Sequence, residues 1–195
     1  MLLLHNRLVE VPVMSLQTGA QIGVTAEPII DPRKLNIVAF YCEGPNIDFS
    51  PAILHISDIR EIGSLGIIVD GADDIMPPDD LVRLQEVLDF HFELVGKHVV
   101  DTAGMKMGKV DTYSVDPNSF YIMKLHVKPN LLQSLTAAEL LIDRSQIETV
   151  NDKHVVVKRA GVKAKKPAMA LKAPVIENPF RHAKPQSQAA EHKAK

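Results

Sequence analysis

A chain of 195 residues with 22 Lys and Arg against 24 Asp and Glu has the charged fraction of an ordinary globular protein, and room for one domain or two small ones. Its single cysteine, Cys42, excludes an intrachain disulfide framework and a cysteine-rich zinc site, and the lack of Trp argues against a nucleic-acid surface built on base stacking. No apolar run is long enough to span a bilayer and the opening MLLLHNRLVE is too short for a secretory signal, so the sequence reads as cytoplasmic, with no stable membrane insertion.

Sliding the chain on itself by about 85 to 88 positions shows one unit used twice. RLVEVPVMSLQTGAQIG from Arg7 meets ELVGKHVVDTAGMKMG from Glu93. Gly19 falls on Gly104, Gly23 on Gly108, Asp31-Pro32 on Asp116-Pro117 and Ile37 on Ile122, with DIREIGSLGIIV falling on SQIETVNDKHVVV. Each copy reads as short strands separated by turns, the mark of an all-β barrel or sandwich. Thr18-Gly19 and Ala103-Gly104 supply the positive φ of tight hairpins, and each Asp-Pro starts a turn in which Asp bonds its own backbone.

In chain order, residues 1–76 form the first unit. Its strand over 35–42, LNIVAFYC, is compared with 120–127, FYIMKLHV, where Tyr121, Met123, Leu125 and Val127 share a core face by alternation. The same alternation puts Val38, Phe40 and Cys42 inside. It leaves Ile37, Ala39 and Tyr41 outside, where the second copy has Ile122, Lys124 and His126.

Residues 77–89 change period: Pro77-Pro78, then Asp79 and Asp80, start a helix of about three turns whose stripe is Leu81, Leu84, Val87 and Leu88. Its apolar side is expected against a barrel. The second unit covers 90–160 and opens on an alternation with Phe90, Phe92 and Leu94 on one side. From 161 to 195 no period is sustained, and the composition is that of a disordered tail. The tail holds seven Lys and one Arg against two Glu, a net +6, which leaves −8 for residues 1–160. One apolar island within it, Val175, Ile176 and Phe180, has the form of a short binding motif.

The ordered set of Leu-Val, a Val-rich strand, a Thr-Gly turn, Ile-Gly and Ile-Asp-Pro before an apolar strand resembles the PRC-barrel domain. ISDIREIGSLGIIVD is similar to that family's last hairpin, and ELVGKHVVDTAGMKMGKVDTYSVDPNSFYIMKL with IDRSQIETVNDKHVVV repeats the pattern. The resemblance implies two small PRC-type β-barrels in tandem, joined by a short helix. It also implies relatedness to the cytoplasmic domain of the reaction-centre H subunit and to the C-terminal domain of the ribosome maturation factor. It implies binding rather than catalysis.

The residues agree with that expectation. The intervals among His91, His98, His126 and His154 do not match a zinc site, and Asp70, Asp73, Asp74, Asp79 and Asp80 lack the order of a calcium loop. Asp79 and Asp80 are instead expected to cap the helix. There is no Gly-x-Ser-x-Gly, and Cys42 falls on a core face, so neither a catalytic residue nor a metal or cofactor is assigned. The protein-binding assignment goes to Ile37, Ala39 and Tyr41, with docking inside the chain as its alternative, and to Val175, Ile176 and Phe180. The expected function is a non-enzymatic adaptor for a protein partner. The runner-up is an RNA- or ribosome-associated factor acting through the basic tail, and a homo-oligomer is left open.

Overall fold

The computed structural model describes residues 1–45, 47–129 and 139–158, and the backbone of 163–164. Strand β1 (Leu3–Leu4) precedes the first copy, which contributes β2 (Pro12–Ser15), β3 (Gln21–Asp31), β4 (Asn36–Glu43), β5 (Ala52–His55), β6 (Glu61–Gly63) and β7 (Gly66–Val69). After β8 (Ile75–Met76) and helix α1 (Val82–Leu88), the second copy contributes β9 (His98–Asp101), β10 (Lys106–Val115), β11 (Ile122–Lys128), β12 (Leu140–Asp143), β13 (Ile147–Val150) and β14 (His154–Val157). A final β15 (Lys163–Ala164) pairs with β12.

The two copies have one topology. The first sheet runs β6-β7-β2-β3-β4-β5-β8 and the second β13-β14-β9-β10-β11-β12-β15, with β2 parallel to β7 and β9 parallel to β14. The protein is therefore mainly β, built as two sheets of matching strand order. Among the described residues no ladder joins the end strands of either sheet, so the hydrogen bonding does not close them into the expected barrels.

Irregularities repeat as well. In β3, Gly23 pairs with Val13 next to a bulge, and Gly108 of β10 pairs with Val99 next to the matching one. A Cβ on Gly23 would lie 2.9 Å from the Glu43 carbonyl oxygen, and one on Gly108 would overlap that of Lys128, so these glycines permit close strand approach. The Asp-Pro turns form as expected. Asp31 Oδ1 accepts from the Arg33 amide at 2.9 Å, and Asp116 Oδ2 accepts from Ser119 Oγ at 2.6 Å.

The face assignment of β4 and β11 needs correction, and a second repeated bulge is the reason. Ile29 pairs with Ala39 but Ile30 with Ile37, and Ser114 pairs with Lys124 but Val115 with Ile122. One extra residue, Val38 in β4 and Met123 in β11, interrupts the alternation. Phe40, Cys42, Leu125 and Val127 are buried as expected. Ile37 and Ile122, expected outside, are fully buried, whereas Tyr121 is 39% exposed and Val38 turns to the face of Ala39 and Tyr41.

The copies dock through equivalent positions. The Ile37 amide donates to the Phe120 carbonyl at 3.0 Å, and the Ile122 amide donates to the Leu35 carbonyl at 3.1 Å, a reciprocal pair related by the repeat. Leu35 and Phe120 both have positive φ, 50° and 57°, a conformation that side chains resist and that the exchanged bonds and packing hold in place. Phe40 meets Phe120 edge to face, with ring centroids 6.2 Å apart, and a single apolar cluster runs from Leu8 and Val13 through Ile37 and Ile122 to Val155 and Val157. β1 strengthens the junction by pairing Leu3 with Val115, so the segment before the first sheet completes the second.

Candidate interaction surface

The outer face of the first sheet has a row of apolar side chains: Ile29 on β3, Ala39 on β4 and Ile53 on β5. With Leu84 and Val87 of α1 they form a second buried cluster, flanked by Val38, Tyr41, Leu81 and Leu88. A seven-residue helix is too short to persist alone in water, so α1 exists because this face buries its stripe, at about 1.5–3 kcal/mol for each fully buried side chain. The expected stripe is thus correct, but the expected length is not. Leu81 leaves helical geometry (φ −105°, ψ 58°) and separates a 3-10 turn, Pro78–Asp80, from α1. Asp79 and Asp80 lie in that turn, and no side chain caps α1, which corrects their expected role.

The residues singled out from sequence separate accordingly. Ile37 lies in the main core, Ala39 is covered by α1, and Tyr41 is half-buried beside the helix. Ala39 and Tyr41 lie on the outer face of the sheet, and the helix of the same chain packs against it. Val175, Ile176 and Phe180 lie outside the described residues. Arg33 adds polar ties around the helix, with Nε 3.0 Å from Asp31 and Nη1 2.8 Å from Glu86. Its guanidinium also lies over the Phe90 ring at 5.3 Å.

The same position on the second sheet is polar. Ser114, Lys124 and His126 stand where the first has Ile29, Ala39 and Tyr41, and Ser114 Oγ lies 2.9 Å from His126 Nε2, whose Nδ1 lies 2.5 Å from Glu139 Oε1. A hydroxyl, an imidazole and a carboxylate in that order could pass a proton from Ser114 towards His126. Acyl transfer needs more: Ser114 is only 7% exposed in mid-strand, leaving little room for a substrate carbonyl. The trio instead satisfies its own polar groups and ties β10 and β11 to Glu139. His126 was read as facing outward, but its partner 13 residues on left no local signal.

Sequence reading also missed Arg144. Its Nη1 donates to the carbonyls of Leu35 (2.8 Å) and Ile122 (3.1 Å), its Nη2 to that of Lys34 (2.5 Å), and the guanidinium lies 4.7 Å from the Tyr121 ring centroid. One side chain thus ties both copies at their junction. Beside it, Asn36 Oδ1 is buried without a partner among the described residues.

Two members of the acidic cluster, Asp70 and Asp74, have structural partners. Asp74 Oδ2 accepts from the amides of Asp70 (2.8 Å) and Gly71 (3.0 Å), and the Arg60 guanidinium bonded to Asp70 holds that carboxyl below its usual range. Burial pushes the Cys42 thiol up to about 12, so it is no ready nucleophile. No group of three or more His, Cys, Asp and Glu among the described residues could hold a metal ion. No helix among them is long and apolar enough to cross a membrane. No family model matches the chain, and no curated protein matches it in sequence.

Proposed function

We propose that the protein is a non-enzymatic, cytoplasmic adaptor made of two PRC-type barrel units, which presents its docked pair to a protein partner while the tail offers a second contact. One observation carries the reading: two sheets of the same topology share one core and exchange hydrogen bonds at equivalent positions, which supports their acting as one body towards a partner. The sequence resemblance of each copy to the PRC barrel supports it. Tyr41, half-buried beside the helix, is what remains of the expected first contact, and Val175, Ile176 and Phe180 supply the second.

The test places a photocrosslinking side chain at Tyr41 or at Phe180 in the native host, identifies what is captured, and reconstitutes the complex from purified components. A protein that crosslinks at either position and binds the purified chain is the expected result. Absence of any such protein at both positions would sink the reading.

A further inference from the structure

The second sheet carries a row of basic side chains that neither fold nor core requires. His154 on β14, His98 on β9, Lys109 on β10 and Lys128 on β11 are successive partners across four neighbouring strands. Partners across a ladder point to the same face, and strands are about 4.8 Å apart, so the row spans about 14 Å of one surface. His98, Lys109 and Lys128 are exposed and His154 is half-buried.

Such a row is unfavourable in a sheet. Lys109 and Lys128 stand directly opposite one another, where like charges destabilise the pair. Asp111 relieves Lys128 at 2.5 Å, but Lys109 and His98 have no hydrogen bond or ion pair to their side chains among the described residues. The equivalent row of the first sheet is Pro12, Val24 and Glu43, with no cation. The charge is therefore a property of the second copy, not of the fold. It extends beyond the row: Lys106 is exposed beside Val100 in the next register position, and Lys153 is exposed in the turn before His154.

We infer that this face binds the sugar-phosphate backbone of a nucleic acid. The fit is one of repeated charge: Lys109 and Lys128 in the row, with Lys106 and Lys153 beside it, offer several cations on and around one face to a polymer with evenly spaced anions. Apart from its two imidazoles, the row contains no aromatic and no large apolar side chain. It thus lacks the buried anchor on which a protein partner would depend, the apolar stripe a membrane surface would take up, and the stacking platform that reads bases. The contact is independent of sequence. The acidic half works against it only weakly at physiological salt, where charges more than about 8 Å apart are screened. Residues 1–76 hold four Lys and Arg against ten Asp and Glu, whereas residues 90–160 hold nine against eight. The expectation from sequence put RNA contact in the tail; the structure adds a folded surface from which that tail continues. This inference does not depend on the adaptor reading.

The test is fluorescence anisotropy of the full-length protein with an oligouridylate about 20 nucleotides long, titrated from about 50 mM salt upward. About three phosphate contacts predict a slope near −2 for log affinity against log salt. Lys109→Glu should lower affinity about tenfold at low salt and flatten the slope by about 1. Lys34→Glu, in the first copy, should leave both within twofold, a margin set by the weakness of screened charges. Lys109→Glu removes a like-charge pair, so its unfolding midpoint should equal or exceed that of the parent, and Lys109→Gln gives a second variant that keeps the fold. The inference is overturned if the parent fails to bind at low salt, or if both Lys109 variants bind as the parent does. It is overturned equally if only truncation before Lys165 abolishes binding, or if polyglutamate or phosphatidylserine vesicles bind this face and the oligonucleotide does not.

Discussion

The outer faces of the two sheets have one backbone and opposite chemistry. On the first, Ile29, Ala39 and Ile53 are buried beneath Leu84 and Val87 of α1. On the second, Ser114, Lys124 and His126 hold the same register, Ser114 bonded to His126 and His126 to Glu139, with Lys124 half-buried beside them. A duplicated unit has thus kept its inner packing and diverged on its outer face, where a substitution changes what docks there without disturbing the core. The difference teaches that the apolar surface of the first copy is explained from within the chain, while the polar and cationic surface of the second is not.

Four measurements would break or sharpen this comparison. The largest effect is expected where the copies agree. Ile37→Ala and Ile122→Ala each remove a fully buried side chain at the junction and should each cost about 2–5 kcal/mol in urea unfolding. An effect within about 0.5 kcal/mol for Ile37 would restore the outward placement that simple alternation implies. Next comes the exchange of chemistry between faces. Ala39→Lys puts the second copy's residue beneath α1 and should cost about 3 kcal/mol and expose the helix to proteolysis, whereas Lys124→Ala should stay within about 1 kcal/mol. Equal effects would mean that the two faces are equally covered.

Arg144→Ala removes the bonds to Lys34, Leu35 and Ile122 and should cost about 2 kcal/mol, with Arg144→Lys recovering only part because a single ammonium cannot reproduce the fork. A neutral result would deny Arg144 its role at the junction. The smallest effect concerns β1. The His5 ring is 4.8 Å from that of Tyr113, and burial lowers its pKa from 6.5 despite the nearby Glu27. A folded-state value below the unfolded one means that protonation favours release. The contribution is full above 6.5 and is lost as pH falls through it towards the folded value. Amide exchange at Leu3 and Leu4, corrected for intrinsic rates, should therefore be faster at low pH than at neutral pH, and His5→Phe should abolish the difference.

The parts legible in sequence were those set by local chemistry. Asp31-Pro32 and Asp116-Pro117 make their turns through their own side chains, Gly19 and Gly104 take positive φ (66° and 80°), and Leu84 and Val87 mark the buried side of the helix. Two failures have one cause. Val38 and Met123 are ordinary strand residues in sequence, and they become bulges only because Ile30 and Val115 on the neighbouring strands pair one position out of step. Likewise, nothing near Arg144 announces that carbonyls 109 and 110 residues away will accept its protons. Leu81 is a milder case, an apolar residue in a helical pattern whose backbone leaves the helix.

The sequence by itself determined that there are two copies, that each is a run of short strands with Asp-Pro and Gly turns, and that an apolar-striped helix joins them, because turn chemistry and hydrophobic period act within a few residues. Only the tertiary structure decided which residues of β4 and β11 face the core, that the copies dock through Leu35, Ile37, Phe120 and Ile122, and that α1 covers Ala39. It also decided that His154, His98, Lys109 and Lys128 form one line. Those outcomes depend on strand register and on contacts between residues far apart in sequence, which come into being only when the sheets form.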